Sequence, residues 1–254
     1  MTDLVVVDRR DAITVLTINR PEVRNAIDLA TAQAIESAVD EFEADDAARV
    51  LVLTGAGGTF SAGMDLVAAS KGEMPMTQRR GPLGIAAKPP VKPMVSAVEG
   101  FALAGGFELA LSGDLIVAAR DAQFGIPEVK RGLVAAGGGV LRLSQRLPRN
   151  MAAELALTGA RVGAERLYQL GVVNRVSEPG AALAGALEMA AEIAAAAPLA
   201  VAASKQIIDR SPDWSVEEGF AKQGEIAVPA LFSEDAAEGA LAFAQKREPR
   251  WQGR

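Results

Sequence analysis

The stretch GFALAGGFELALSGD, residues 100–114, carries one carboxylate, Glu108, in the middle of an apolar, glycine-rich run. Burying an ionised carboxylate without partners costs free energy, so Glu108 must be exposed, paired, protonated or chemically active. Gly105 and Gly106 precede the helical pattern FELALS, so we expect a helix to begin here with Glu108 in its first turn. The helix dipole favours a carboxylate there by ~0.3–1 kcal/mol at exposed sites, so a purely structural role is the ordinary alternative.

A second glutamate, Glu128, lies in a similar setting. It follows Pro127, which suits the first position of a helix. The strand-like segment DLIVAAR (114–120) separates the two glutamates, and this arrangement permits both to face one pocket. An ordinary helix start explains Glu128 equally well if it is considered alone.

A further glycine-containing turn, FSAGMDL (60–66), also leads into a helical pattern. Backbone N–H groups at such turns lack partners within the helix, so those of Met64 and Gly105 together could bind a developing oxyanion. This site needs no side chain. The alternative is a simple turn of the kind that glycine often forms.

The composition excludes several classes of chemistry. The chain has neither Cys nor His, so it cannot contain a Ser-His-Asp triad, a cysteine nucleophile or a zinc site built on thiolate or imidazole. Proton transfer must then use carboxylates, lysines or the single tyrosine, Tyr168. The net charge of −6, without a long basic run, makes nucleic acid an unexpected partner.

The order of patterns predicts an α/β core followed by helices. Strand-like ITVLTINRP (13–21) and RVLVLTG (49–55) alternate with helical segments, whereas the chain from about 182 onward is helical and rich in alanine. Residues 71–93 are rich in Gly, Pro, Met and charge, and they predict either a mobile surface loop or a wall of an acyl pocket. The sequence has no signal-peptide pattern and no run of about 18 apolar residues, so we expect no membrane span and a cytoplasmic location.

Seven segments together carry a family resemblance. They are RPEVRNAID (20–28), FSAGMDL (60–66), GFALAGGFELALSGD (100–114), FGIPEVKRGL (124–133), GGGVLRL (137–143), ALTG (156–159) and GVVNRV (171–176). In this order and spacing they resemble the crotonase, or enoyl-CoA hydratase/isomerase, superfamily over nearly the whole chain. GGFELAL, GGVLRL and the ending LAFAQKREPRWQGR resemble its carnitinyl-CoA dehydratase branch.

The resemblance implies a fold and a set of site residues. The fold is a crotonase-like spiral core of repeated ββα units over residues 1–195, followed by a C-terminal helical trimerisation domain over residues 196–254. Glu108 and Glu128 match the acid/base glutamates, and Met64 and Gly105 match the oxyanion hole that holds a thioester carbonyl. The positions that resemble the coenzyme A site are Arg24, Ala26, Ala62, Asp65 and Leu66, together with Lys246, which would reach the coenzyme phosphates from a neighbouring subunit.

The resemblance also implies an activity. The leading interpretation is an enoyl-CoA hydratase that adds water reversibly to a 2-trans-enoyl-CoA. A carnitinyl-CoA dehydratase, a 3,2-enoyl-CoA isomerase and a non-catalytic acyl-CoA-binding protein remain alternatives, since a fold does not select a reaction. Each implies coenzyme A as part of the substrate, no prosthetic group or metal, and assembly into a homotrimer or homohexamer. The apolar segment from 181 onward, which is unsuited to solvent, is consistent with assembly.

Overall fold

The computed structural model describes residues 3–254. The strands are β1 (Val5–Arg10), β2 (Ile13–Ile18), β3 (Val50–Gly55), β4 (Met76–Thr77), β5 (Gly81–Pro82), β6 (Met94–Val98), β7 (Phe101–Leu103), β8 (Leu115–Ala119), β9 (Gln123–Gly125), β10 (Arg161–Gly163) and β11 (Arg175–Ser177). The helices are α1 (Leu29–Ala44), α2 (Leu66–Ala69), α3 (Gly105–Ser112), α4 (Gly139–Arg146), α5 (Arg149–Thr158), α6 (Ala164–Gln169), α7 (Ala182–Ala194), α8 (Pro198–Arg210), α9 (Val216–Leu231) and α10 (Glu234–Gln245). Short 3₁₀ turns span Pro21–Val23, Pro127–Arg131 and Ser211–Asp213.

The main sheet has the strand order β1-β2-β3-β6-β8-β11. Strands β1 and β2 form an antiparallel hairpin, and the other neighbours pair in parallel. The parallel strands β3 and β6 are almost wholly buried, as expected when a sheet has both faces covered. One face contributes to a large core with α1 and α3, while Ala186 and Ala190 of α7 belong to the apolar cluster on the other face.

A second, three-stranded sheet has the order β10-β9-β7. The chain passes from β6 in the main sheet to β7 in the second sheet and then into α3, which is the predicted ββα order. Strand β8 is likewise followed by β9 in the second sheet. Phe107 of α3 packs against Phe124 of β9, with ring centroids 5.1 Å apart. This packing fixes the beginning of α3 against the second sheet.

The helical C-terminal region begins where the sequence predicts it. Helix α7 packs on the main sheet, and α8 packs against α9. Asp235 at the start of α10 is buried and accepts hydrogen bonds from the backbone N–H groups of Gln252 and Gly253, which attaches the C-terminal tail. The division at residues 195 and 196 stays a prediction.

Within residues 3–254, no single helix is both long and apolar enough to cross a bilayer. Only Ala182–Ala194 and Pro198–Asp213 reach that length and composition as a pair, and they are bent by 109°.

The segment 71–93 is anchored to the core and contains the β4–β5 hairpin. Its buried residue Arg80 pairs with Asp40 at 2.7 Å. The buried carboxylate of Glu36 on α1 accepts hydrogen bonds from the backbone N–H groups of Arg79 and Arg80, at 3.1 and 2.7 Å. These contacts hold the middle of the segment against α1, which agrees with the pocket-wall alternative.

Asn25 joins two loops near the predicted coenzyme site. It is fully buried with φ of 54°, a left-handed conformation that Asn tolerates better than most residues. Its side-chain oxygen accepts the N–H of Arg20 at 2.9 Å, and its amide nitrogen donates to the carbonyls of Ala56 and Thr59 at 2.9 and 2.6 Å. The loop at 20–27 is thereby held against the loop at 56–59.

We expect Asn25→Ala to lower the free energy of unfolding by about 3 kcal/mol, because it leaves three part-buried polar groups without their partners. Chemical denaturation measures the change. Asn19→Ala is the matched control, since Asn19 makes one exposed bond to the carbonyl of Asp3 and should cost no more than about 1 kcal/mol. Equal losses in the two variants would contradict this role for Asn25.

Candidate active site

A cavity of about 630 Å³ lies where the start of α3 meets the turn Pro127–Arg131 and the β4–β5 segment. Its wall is mainly apolar. It is lined by Ala62, Met64, Leu66, Met74, Pro75, Met76, Pro82, Leu83, Leu103, Ala104, Gly105, Glu108, Pro127, Glu128, Lys130, Arg131, Leu133, Val134, Ala136, Gly137, Gly159 and Arg161. The cavity brings together both predicted glutamates and both predicted oxyanion-hole residues.

Glu108 is 5% exposed and lies in the first turn of α3, as predicted. Its Oε1 accepts a hydrogen bond from the backbone N–H of Gly139 at 2.9 Å. Burial raises the pKa of this carboxyl above its ordinary value, while the N–H groups of Gly139 and Gly137 and the charge of Arg142 oppose the rise. Glu108 is therefore a buried carboxylate with fixed donors on one side and a cavity on the other.

The glycine triplet 137–139 fits closely around this carboxylate. A Cβ atom at Gly137 would lie 2.6 Å from Oε2 of Glu108, and one at Gly139 would lie 3.0 Å from its Cγ. Residues with side chains therefore cannot replace either glycine without moving Glu108. This contact joins positions about thirty residues apart, so local sequence patterns do not reveal it.

Glu128 occupies a different environment in the same cavity. It lies in a 3₁₀ turn rather than an α-helix, because Gly132 takes a left-handed conformation that ends the turn after five residues. Burial, together with the nearby charge of Glu108, raises the pKa of Glu128 to about 7. Its Oε2 is buried and has no hydrogen-bond partner in the described part of the chain. A carboxyl with this pKa can both take up and release a proton near neutral pH.

The backbone around Met64 and Gly105 suits an oxyanion hole. The two chain segments of this site are in close contact, because a Cβ atom at Gly63 would lie 2.6 Å from the backbone nitrogen of Gly105. Ile27 holds the Met64 loop on both sides, donating to Gly63 and accepting from Asp65 at 2.8 and 2.9 Å. Across residues 3–254, neither the Met64 nor the Gly105 N–H has a hydrogen-bond acceptor. Both groups are available to a ligand in the cavity that they line.

Ala104, immediately before Gly105, has φ of 52° and ψ of −127°. A non-glycine residue rarely adopts a positive φ, and such strain is found preferentially at functional sites. Two contacts stabilise the strained residue: its N–H donates to Gly125 at 2.8 Å, and its carbonyl accepts from the N–H groups of Phe107 and Glu108. The strain therefore lies at the junction of β7 and α3, next to the free N–H of Gly105.

The predicted coenzyme residues fall in two adjoining loops. The N–H of Ala62 donates to the carbonyl of Arg24 at 2.9 Å, and Arg24 itself is exposed with φ of 55°. Ala26 is buried, whereas Leu66 is exposed at the cavity edge, and Asp65 caps the first turn of α2. Of these positions, Ala62 and Leu66 line the cavity.

Arg20 was missed by the sequence reasoning, although it organises these loops. Its guanidinium pairs with Asp28 at 3.1 Å and with Asp65 at 3.3 Å, and it donates to the carbonyl of Ala26. Asp28 and Asp65 are the N-caps of α1 and α2. Asp65 therefore has a structural part here, and Arg20 connects both helix starts to the Ala26 loop.

Lys246 is not brought to the cavity within this chain. It is exposed at the C-terminal end of α10 with φ of 53°, outside the cavity lining. The predicted contact from a neighbouring subunit therefore stays a prediction. Conversely, the sequence reasoning missed three exposed cations that line the cavity, namely Lys130, Arg131 and Arg161.

Among residues 3–254, no group of three acidic side chains is arranged to hold a metal ion. The polar groups that line the cavity include the carboxyl groups of Glu108 and Glu128, the backbone N–H groups of Met64 and Gly105, and the cations named above.

Comparisons with known proteins agree with this site. A family model described as enoyl-CoA hydratase/isomerase matches residues 8–254. The crystal structure of an enoyl-CoA hydratase from Mycobacterium tuberculosis H37Rv is 53% identical and has a TM-score of 0.97, with 99% of each chain covered. That of a carnitinyl-CoA hydratase from Mycobacterium avium is 40% identical and has a TM-score of 0.79, with both chains covered completely.

A curated relative, the carnitinyl-CoA dehydratase of Salmonella arizonae, is 45% identical over 262 residues, again with both chains covered completely. The predicted α/β crotonase fold and the predicted resemblance, including its carnitinyl-CoA dehydratase features, are confirmed. Relatives of this kind are hydro-lyases that act on coenzyme A thioesters. The protein belongs to the enoyl-CoA hydratase/isomerase, or crotonase, superfamily and is an enzyme of the hydro-lyase type.

Proposed function

We propose that this enzyme adds water reversibly to the double bond of a 2-trans-enoyl-CoA thioester. The observation that carries the proposal is the pair of glutamates in one largely apolar cavity, where the pKa of Glu128 is raised to about 7 and Glu108 is held by a backbone donor. The free N–H groups of Met64 and Gly105 support it as well. A 3,2-enoyl-CoA isomerase can manage with one acidic group, so the second glutamate favours hydration.

The proposed reaction uses all four groups. The thioester carbonyl accepts hydrogen bonds from the N–H groups of Met64 and Gly105, which draws electrons from the double bond and makes Cβ electrophilic. One glutamate takes a proton from a water molecule while the oxygen of that water bonds to Cβ. The other glutamate gives a proton to Cα, and the carbonyl is restored. The same steps in reverse remove water from a 3-hydroxyacyl-CoA.

The cavity lining indicates the kind of acyl group. Methionine, leucine, valine and proline side chains supply most of its wall, and the rim residues Lys130, Arg131 and Arg161 are cations. A quaternary ammonium group is usually held by aromatic faces, but no aromatic side chain lines this cavity among the described residues. We therefore favour a neutral aliphatic acyl group. Carnitinyl-CoA dehydratase is the second candidate because curated relatives at 42–45% identity bear that name.

A direct comparison of two substrates tests this choice. We expect crotonyl-CoA to be hydrated with kcat/KM at least tenfold higher than its 4-trimethylammonio derivative, measured by loss of the enoyl absorbance. A reversed preference would assign the enzyme to the carnitinyl-CoA reaction. Turnover of neither thioester would refute both assignments.

The glutamate pair predicts a specific mutational result. Glu108→Gln and Glu128→Gln should each lower kcat by roughly 10²-fold or more, because glutamine cannot exchange the proton. The double variant should lose much less than the product of the two, since the residues act as a unit. Glu154→Gln, at an exposed position of α5, is the control and should leave kcat unchanged. Wild-type rates in both single variants would refute the mechanism.

Glu128 should also make stability depend on pH. Its pKa is raised from 4.5 to about 7 in the folded protein, so the folded state binds this proton more tightly than the unfolded state does. The contribution of Glu128 to the free energy of unfolding is therefore complete below about pH 4.5 and is lost as the pH rises toward 7. We expect Tm to fall less in Glu128→Gln than in the wild type between pH 5 and pH 8, by differential scanning calorimetry. Parallel curves would contradict the raised pKa.

The exposed apolar side chains of the C-terminal helices support assembly. The exposed fractions are 87% for Phe220, 83% for Phe232, 88% for Phe243 and 91% for Val216. Apolar surface of this extent usually marks an interface. We propose that the chain forms a homotrimer or homohexamer through this region. Lys246, in the same region, then meets the coenzyme phosphates of a neighbouring subunit.

The position of Lys246 leads to a kinetic prediction. Lys246→Ala should raise KM for an enoyl-CoA while leaving kcat nearly unchanged, because the contact binds ground and transition states alike. It should affect an enoyl-pantetheine thioester, which lacks the nucleotide, much less. Lys222→Ala removes a half-buried lysine of the same region, which is paired with Glu218, and serves as the control.

Light scattering on the same preparations checks the assembly. Equal KM changes on both thioesters would exclude contact between Lys246 and the nucleotide, and a monomeric mass at micromolar concentration would exclude its action between subunits.

A further inference from the structure

Arg142, which the proposed reaction does not use, lies largely buried one turn into α4. Its guanidinium donates to the carbonyl of Gly137 at 3.3 Å and to the carbonyl of Ala86 at 2.6 Å. Gly137 begins the glycine loop, and the N–H of Gly139 at the other end of that loop holds Glu108. Arg142 is thus bonded to the same short segment that positions the carboxylate.

The glycine loop is shaped to admit this guanidinium. Gly138 has φ of 101°, which favours glycine, and a Cβ atom there would overlap with Nη1 of Arg142. The backbone N–H of Arg142 also donates to the carbonyl of Gly138 at 2.9 Å. Side chain and backbone of Arg142 therefore hold two consecutive carbonyls of the loop, and this fixes where the next N–H, that of Gly139, points.

The second bond of Arg142 extends its influence to the cavity wall. Ala86 follows β5 in the segment that includes Leu83, which lines the cavity. The Leu83 side chain lies against α3, since a Cβ atom at Gly105 would be 3.0 Å from its Cδ1. Arg142 consequently connects the loop behind Glu108 with the wall in front of it.

The charges that face Glu108 are few. Arg142 comes from α4, and Glu128, with the exposed rim residues Lys130 and Arg131, comes from the turn Pro127–Arg131. The strands β6 and β7, which also pack against α3, carry no charged residue. Arg142 is therefore the largely buried cation that faces the Glu108 carboxylate among these elements.

Behind Arg142 lies a second layer of charge. Burial, together with the neighbouring Arg146, lowers the pKa of Arg142, while Glu108 and Asp209 of α8 oppose that shift. Arg146 donates to the carbonyl of Gly113 and not to the glycine loop. Arg146 shares the helix, the burial and the Asp209 neighbour of Arg142, but it lacks the contacts that reach Glu108.

We propose that Arg142 is a positioning residue for Glu108: its guanidinium fixes the glycine loop around that carboxylate and presents a largely buried positive charge to it. The description of Glu108 as an acid/base residue rests on the proposed function. The contact of Arg142 with the glycine loop, and the effect of its charge on Glu108, do not rest on that function. Both can therefore be measured without turnover.

Titration of the Glu108 side-chain carboxyl carbon by ¹³C NMR tests the proposal, with the resonance assigned by its loss in Glu108→Gln. Arg142→Gln should raise the pKa of Glu108 by about one unit or more, because an opposite charge at close range lowers a carboxyl pKa by about 1–3 units. Arg146→Gln, the matched control, should leave that pKa within about 0.3 units of the wild-type value. An unchanged pKa in Arg142→Gln, or equal shifts in the two variants, would overturn the proposal.

Arg142→Lys keeps the charge but cannot reproduce the planar fork that reaches both Gly137 and Ala86. Hydrogen exchange at the Gly139 amide should be at least tenfold faster in this variant, and this measurement decides the matter if Arg142→Gln does not fold. Wild-type exchange at Gly139 in Arg142→Lys would overturn the positioning role. A wild-type enzyme that hydrates no enoyl-CoA would refute the proposed function alone, since neither readout requires catalysis.

Discussion

The hydrogen bond from the Gly139 N–H to the Glu108 carboxylate is the constraint on which the site depends. Every residue of α3 is buried, so this carboxylate has few other ways to be compensated. The bond requires α4 to begin at Gly139, and it requires Gly137 and Gly139 to lack side chains. The packing of Phe107 on Phe124 holds the opposite side of α3 in place. Fold and site are therefore specified by the same few contacts.

The two carboxyl groups share one cavity but differ in their surroundings. Glu108 has fixed backbone donors and a nearby guanidinium, all of which favour its ionised form against the effect of burial. Glu128 has an oxygen with no partner among residues 3–254 and feels the charge of Glu108, so its proton is retained to about pH 7. Neighbouring acids whose environments separate their proton affinities are suited to opposite roles in a proton transfer.

Local patterns predicted the elements, but they could not predict contacts between distant segments. The N-cap of α1 is a local contact, in which Asp28 accepts the N–H of Thr31, three positions along the chain, at 2.8 Å. The positions of Glu108 and Met64 next to glycine turns were recognised from equally local patterns. By contrast, the close fit of Gly137 around Glu108 and the joining of two helix starts by Arg20 depend on chain segments that meet only after folding. Lys246 illustrates a further limit, because its predicted contact requires a second subunit.

The anchoring of the β4–β5 segment has a consequence for how this enzyme can diverge. Met74, Met76 and Leu83 line the cavity. The position of their segment depends on Glu36 and Asp40 of α1, which do not themselves line the cavity. Exchanges at these two acids would shift the wall without altering any residue that a substrate meets. In the proposed reaction, acyl preference can thus change through a remote helix, while Glu108, held by α3 and α4, and Glu128, in the turn Pro127–Arg131, keep their positions. A lineage can in this way acquire a new substrate and retain its chemistry.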